Sequence, residues 1–323
     1  MSMILDLETI RRVLPAIDLL KIIEEGFVAF SEGRVVVPPV GELVFNDPPG
    51  EAHIKYGYIK NDEFYVIKIA SGFYHNPRIG LPSSQGMMLL FSQKTGVCEA
   101  VLLDQGLLTD HRTAAAGAVA ARLLAPQEVR RVGILGAGTQ ARLQLQHLRA
   151  VTSCRRALIW VPDPDETEPF LQFFAESDLD VEIARSPSEV ARACNLIVTT
   201  TPSTQALLQA SGVRRGTHIT AVGSDTSDKI ELAPAILASA DVVVVDSLAQ
   251  SESRGEVFRA VQSGDLEREK VVELGAALAD PSLARTDDDQ ITVCDLTGVA
   301  VQDIQIAKAV FAEVRKRDDE RLS

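Results

Sequence analysis

No two of the four cysteines, Cys98, Cys154, Cys194 and Cys294, lie near one another, and no CxxC pair accompanies them. That spacing signals neither a zinc site nor a disulfide framework and favours buried free thiols as the reading. The five histidines (His53, His75, His111, His147 and His218) contain no HxxxH pair, so no metal is implied. A basic cluster is missing as well. The chain has 32 Lys+Arg against 45 Asp+Glu, a net −13 spread along its length, and nothing in it could neutralise a phosphate backbone. Nucleic acid is therefore not expected as a partner. No apolar run approaches the roughly 20 residues a membrane span requires. The opening MSMILDLETIRRVL carries acidic groups where a secretory leader has a basic region. These absences predict a cytoplasmic protein with no membrane partner.

What is present divides the 323 residues into two patterns, enough for two ordinary cores. Residues 4–33 read as capped helical turns, with Leu14, Ile17, Leu20, Ile23, Phe27 and Phe30 making one apolar face that stops at Gly33. From Val35 to Val101 the period falls towards two. HIKYGYI, FYVIKIA, MMLLFS and CEAVLLD are separated by Asn/Asp/Gly/Pro turns, which predicts an antiparallel sheet of about six strands with one helical cover. After the Ala-rich helix LTDHRTAAAGAVAARLLA, strands alternate with helical stretches: RRVGILG, ALIWV, NLIVTTT, THITAVG and DVVVVD. Strand–helix alternation predicts a doubly wound parallel sheet, and the fold class is α/β. A final helix over about 298–317 presents Val301, Ile304, Ala307, Ala309 and Val310 on one side and ends in the solvated charge run RKRDDER.

One loop carries the first chemical signal. Gly136-Ala137-Gly138-Thr139-Gln140-Ala141 follows a strand-like run and opens a helix. A tight turn at Gly136, backbone approach to a pyrophosphate at Gly138, close helix packing at Ala141 and the dipole of the helix N-terminus are what a dinucleotide demands. The second strand of this unit ends near Asp163, about where a carboxylate accepts the adenosine ribose hydroxyls and repels a 2′-phosphate. The other reading of Asp163 is an exposed turn residue. Pro162 and Pro164 stand where basic residues would greet that phosphate, although Arg142 offers one positive charge. NAD is expected ahead of NADP.

Further segments spread over nearly the whole chain, KIASGF, LLTDHRTAAAGAVAARLLA, GAGTQAR, TTTPST, AVGSDTSDKIEL and CDLTGVAVQD, together resemble the ornithine cyclodeaminase/μ-crystallin family, which includes alanine dehydrogenases and imine reductases. Within it the ectoine-utilisation branch is the most similar. The resemblance implies a Rossmann dinucleotide domain, residues 126–301, inserted in an α+β substrate and dimerisation domain, residues 1–125 plus 302–323, and hence a homodimer. It implies that Lys68 and Arg112 bind the substrate carboxylate, that Asp225 is the catalytic aspartate with Lys68 as a second proton donor, and that Thr113, Thr201 and Ser224 join the glycine loop at the cofactor. The residue types suit these roles. Arg112 offers a planar fork for a carboxylate, Lys68 a compact charge, and Asp225 a loop carboxylate able to take a proton from an amine or return it to an imine.

The chain departs from the family's pattern at Pro38-Pro39-Val40-Gly41-Glu42-Leu43, where many relatives carry an arginine in the carboxylate grip. Glu42 either meets a cationic or amide part of the substrate or faces water. Lys55 or His53, on the adjacent strand, is a candidate to substitute for the missing charge, with no motif that selects either. Three activities remain open. An NAD-dependent dehydrogenase or imine reductase would exchange hydride with the α-carbon of a small amino or imino acid. A cyclodeaminase would recycle its NAD internally and release ammonia. A μ-crystallin-like protein would bind dinucleotide without catalysis, which the joint presence of Lys68, Arg112 and Asp225 opposes.

Overall fold

The computed structural model describes residues 2–73 and 75–322. The chain forms two compact units, Met1–Thr113 with Val299–Ser323, and Ala114–Gly298. The division falls inside the Ala-rich helix Leu107–Leu124, whereas the sequence pattern set it after that helix. Composition changes where the helix ends. Ala114–Ala116, Ala118, Ala120 and Ala121 are buried.

The first unit is built on a seven-stranded sheet. Its strands are β1 (Met3–Leu5), β2 (Val35–Val36), β3 (Gly41–Asn46), β4 (Pro49–Ile59), β5 (Phe64–Gly72), β6 (Ser84–Ser92) and β7 (Cys98–Leu102). They run in the order β1-β7-β6-β5-β4-β2, with β3 also paired to β4. All pairings are antiparallel except β1 with β7. The sheet is thus mixed and one strand wider than the sequence pattern indicates. Met3–Leu5 is a strand because it pairs with Ala100–Leu102 at the sheet edge, leaving Ile4 exposed and Leu5 buried. Pro15 then separates two helices, Leu7–Val13 and Leu19–Ser31, capped by the Asp6 and Asp18 carboxylates, which accept the Thr9 and Lys21 amides. The single helical face expected over 4–33 is therefore split.

One face of this sheet is covered by the C-terminal helix, Ala300–Leu322, which also packs on Leu19–Ser31. Ile23, Phe27, Met88, Leu90, Leu102, Val301, Ile304 and Val310 are buried there, each large side chain contributing about 1.5–3 kcal/mol. The helix runs past the expected end, and its charged last turns are helical. The other face carries cross-strand rows Tyr58–Tyr65–Phe91, Tyr56–Ile67–Leu89 and Ile54–Ile69–Met87, and Tyr56, Tyr58 and Ile69 keep more than a third of their surface exposed. Tyr65 and Phe91 stack with centroids 4.9 Å apart.

The second unit is an eight-stranded parallel sheet: β8 (Val132–Leu135), β9 (Arg156–Trp160), β10 (Asp180–Ile183), β11 (Leu196–Thr199), β12 (His218–Ala221), β13 (Val242–Val245), β14 (Val271–Glu273) and β15 (Thr292–Asp295). The order is β10-β9-β8-β11-β12-β15-β13-β14. The chain winds outward from β8 on one side and from β11 on the other, so the topological switch point lies between them. β10, β14 and β15 are additional to the strands read from the sequence. Each has three or four residues, and β15 is a Thr-Val-Cys-Asp run whose polar members are all buried. Cys194 and Cys294 are buried, but Cys98 and Cys154 are half-buried, so buried thiols account for two of the four. His218 is a core residue. Its ring bonds the Thr292 and Thr220 hydroxyls at 2.8 and 2.9 Å, and burial, then the nearby Arg285, lowers its pKa to about 3. Among the described residues no helix is long and apolar enough to cross a membrane.

Candidate active site

In the second unit the glycine loop leaves β8 at the switch point. Gly136 has φ +121°, and a Cβ there would stand 2.5 Å from the Thr200 hydroxyl, so a side chain is excluded on both counts. Gly138 precedes the helix Thr139–Leu148, and no side chain caps its free amides. A Cβ at Gly138 would meet nothing within 4 Å, while Ala141 is fully buried. An uncapped helix start beside open space is the cradle a pyrophosphate needs, so these residues fit a dinucleotide. Thr139 is exposed and Gln140 half-buried.

Asp163 lies three residues beyond β9, is exposed, and caps the short turn Pro164–Glu166 by accepting the Asp165 amide at 3.1 Å. Arg142 is engaged elsewhere. Its guanidinium lies 5.7 Å from the ring centroids of both Phe170 and Phe173 and 3.5 Å from Glu166.

Asp225 sits on the loop after β12. Its carboxylate pairs with Lys229 at 2.7 Å, and its side chain remains 37% exposed. The Ser224 hydroxyl turns inward to the Lys229 carbonyl at 2.9 Å. Thr201 also points inward, its amide and hydroxyl both donating to Glu231. Glu231 belongs to a set of buried carboxylates not singled out from the sequence. Burial pushes Glu231 up to about 7 and Asp295 up to about 8, and burial followed by Asp295 and Glu231 pushes Glu256 well above its usual range.

In the first unit Lys68 and Arg112 come together on a residue the sequence pattern did not mark. Arg112 donates Nε–H to Asp303 Oδ1 at 2.9 Å, and Lys68 Nζ lies 3.2 Å from Oδ2. Arg112 also donates to Gln302. Asp303 and Gln302 project from the C-terminal helix, where QD at the end of an apolar run looks like a solvated face. The signal available in the sequence was their place inside CDLTGVAVQD. All three ionic groups are buried.

Burial lowers the Lys68 pKa to about 7; Asp303 pulls it back up, and Arg112 and Lys55 push it further down. For Asp303, burial raises the pKa, but Arg112, Lys68 and Lys55 together hold it below the usual carboxylate range. Lys55 is directly opposite Lys68 in the β4–β5 register. Glu42 faces His53 across β3 and β4, and the His53 ring lies 3.1 Å from its carboxylate. Thr113, beside Arg112, returns its hydroxyl to the Thr109 carbonyl.

Residues 1–318 match the ornithine cyclodeaminase/mu-crystallin family. A protein of Sinorhizobium fredii named an uncharacterised cyclodeaminase is 42% identical over 312 residues, covering 95% of this chain and 94% of that one. The solved archaeal alanine dehydrogenase dimer with bound NAD superimposes with a TM-score of 0.89 at 31% identity, over 98% of this chain and 97% of the other. The iminosuccinate reductase of Paracoccus denitrificans in complex with NAD+ gives 0.87 at 29% identity, over 98% and 97%. With the glycine loop, the Lys68–Arg112 pair and the Asp225 loop each set in its element, this chain is a member of the ornithine cyclodeaminase/mu-crystallin family.

Proposed function

We propose that the protein is an NAD(H)-dependent oxidoreductase acting at the amine- or imine-bearing carbon of a small amino or imino acid. The observation that carries this is the buried pair Lys68 and Arg112 sharing the single carboxylate of Asp303. Two cations on one anion leave a net positive charge, when Lys68 is protonated, in a place where water screens little. A substrate carboxylate supplies the balancing charge, and the Arg112 fork orients it.

Asp225 takes the proton from the substrate nitrogen during oxidation and returns it during reduction. Lys229 pairs with its carboxylate at 2.7 Å. The nicotinamide, when bound, supplies or accepts the hydride. Gly136, Gly138 and Thr139–Ala141 would hold the pyrophosphate of the dinucleotide.

NAD is favoured over NADP because Asp163 opposes a 2′-phosphate, and Arg142, the cation near the loop, is held by Phe170, Phe173 and Glu166. Comparison of NADH and NADPH binding by fluorescence checks this, with equal or tighter NADPH binding contradicting it. The uncovered apolar rows of the seven-stranded sheet support a homodimer.

A second reading is an internally recycling cyclodeaminase, favoured by the name of the 42% identical relative. Against it stand Gly41 and Glu42, where a carboxylate-binding arginine is missing, and the engagement of Glu42 with His53. One experiment separates the two. A panel of amino and imino acids is followed at once by reduced-nicotinamide absorbance and by ammonia release. Stoichiometric change in absorbance identifies the oxidoreductase, whereas ammonia with no net absorbance change identifies the cyclodeaminase.

A further inference from the structure

Glu231 is fully buried beside the ends of β11 and β12, and its carboxylate is saturated by donors from both. Oε1 accepts the Thr201 amide at 2.6 Å and the Thr201 hydroxyl at 2.7 Å. Oε2 accepts the Thr199 hydroxyl at 2.7 Å and the Gly223 amide at 2.8 Å. Thr201 lies just past β11; Gly223 lies just past β12 and leads directly into Ser224 and Asp225. The two loops touch at the backbone, since a Cβ on Gly223 would come 2.1 Å from the Thr201 carbonyl oxygen.

Glu231 is itself held from behind. Its own amide donates to Glu256 Oε1 at 2.7 Å, and the Leu232 amide donates to Oε2 at 3.2 Å. The Val257 amide, next to Glu256, donates to Asp295 Oδ2 at 2.9 Å. Three buried carboxylates thus run from the end of β15, through the start of the helix Gly255–Ser263, to the loops beyond β11 and β12, each seated on backbone amides at or beside the next. A solvated loop acid could do none of this.

We propose that Glu231 is a positioning residue that clamps the loop bearing Thr201 to the loop bearing Asp225, so that the cofactor-facing backbone and the proton-carrying carboxylate keep one fixed geometry. This role rests on Asp225 being the proton carrier proposed above. It requires a carboxylate: each oxygen receives one backbone N–H, so a glutamine amide in either orientation sets its NH2 against an N–H donor and opens one of the two loops.

The test compares the full-length parent with Glu231→Gln, Asp225→Asn and the double variant, measuring kcat, KM, NADH affinity and melting midpoint. Folded Glu231→Gln should lose about 10- to 100-fold in kcat with KM changed less than about threefold, as for a misplaced reacting group. Because it acts through Asp225, the double variant should be no slower than Asp225→Asn alone. A folded Glu231→Gln with kcat within about twofold of the parent overturns the clamp, and so do losses that multiply in the double variant. Should Glu231→Gln fail to fold, Thr199→Val, which removes one of the four donors, decides: about a threefold fall in kcat at unchanged KM supports the clamp, and parent-like kcat overturns it. Failure of the underlying reading looks different, because Asp225→Asn would then retain turnover whatever Glu231→Gln does.

Discussion

Arg112 and Asp303 are 191 residues apart in sequence and 2.9 Å apart in space, and the carboxylate between Arg112 and Lys68 sits on the C-terminal helix. Removing one partner of a buried ionic group leaves the others uncompensated, at a cost of about 3–5 kcal/mol. Asp303→Asn should therefore lower the melting midpoint by on the order of 10 °C. Calorimetry on the purified variant checks this, and a midpoint within a degree or two of the parent would show that the three groups do not depend on one another.

A Lys68 ammonium with its pKa brought to about 7 is charged below that pH and neutral above it. Affinity for the substrate carboxylate should fall as pH rises through about 7, giving kcat/KM a descending limb. Lys68→Arg keeps its charge across this range, so the limb should disappear in that variant. If it survives unchanged, another group is titrating.

Asp225→Asn preserves shape but cannot accept a proton. Turnover should fall on the order of 10²–10⁴-fold while NADH binding stays within about twofold. Near-parental turnover on the true substrate would remove Asp225 from the mechanism, whichever of the two reactions is run.

The exposed rows on the seven-stranded sheet predict a dimer at dilute concentration by light scattering. Ile69→Lys, in the Ile54–Ile69–Met87 row, should shift it towards the mass of one chain, since an unpaired ammonium would be buried in the contact. A parent that scatters as a monomer would refute the proposed contact.

Much of this molecule can be read locally. Gly136 and Gly138 announce themselves because a positive φ and an open helix start impose residue types on a few consecutive positions. Lys68 and Arg112 stand out as charges within apolar strand and helix patterns. Asp303 does not, because its partners are far away in sequence and an acid beside a glutamine on a helix resembles a solvated face. Glu231 is hidden for the same reason: in DKIEL it looks like a loop acid, and only the folded chain brings the Thr201 and Gly223 amides to it. β15 is missed because its Thr, Cys and Asp are polar residues that tolerate the sheet centre only through partners supplied from elsewhere, such as the Leu124 carbonyl on Thr292 and the Val257 amide on Asp295. Periodicity likewise misassigns Met3–Leu5, whose strand character comes from β7, some 100 residues on.

The C-terminal helix has a consequence for how the protein is made. A ribosome that has translated as far as Gly298 has already synthesised every strand of the parallel sheet. The antiparallel sheet, synthesised first, still lacks the cover for Met88 and Leu90 and the counter-ion for Lys68 and Arg112, because both arrive with Ala300–Leu322. The half of the protein that emerges first is finished last, and a nonsense mutation between Leu124 and Asp303 yields a chain with a bare apolar sheet and two stranded cations, a substrate for proteases more than for chemistry.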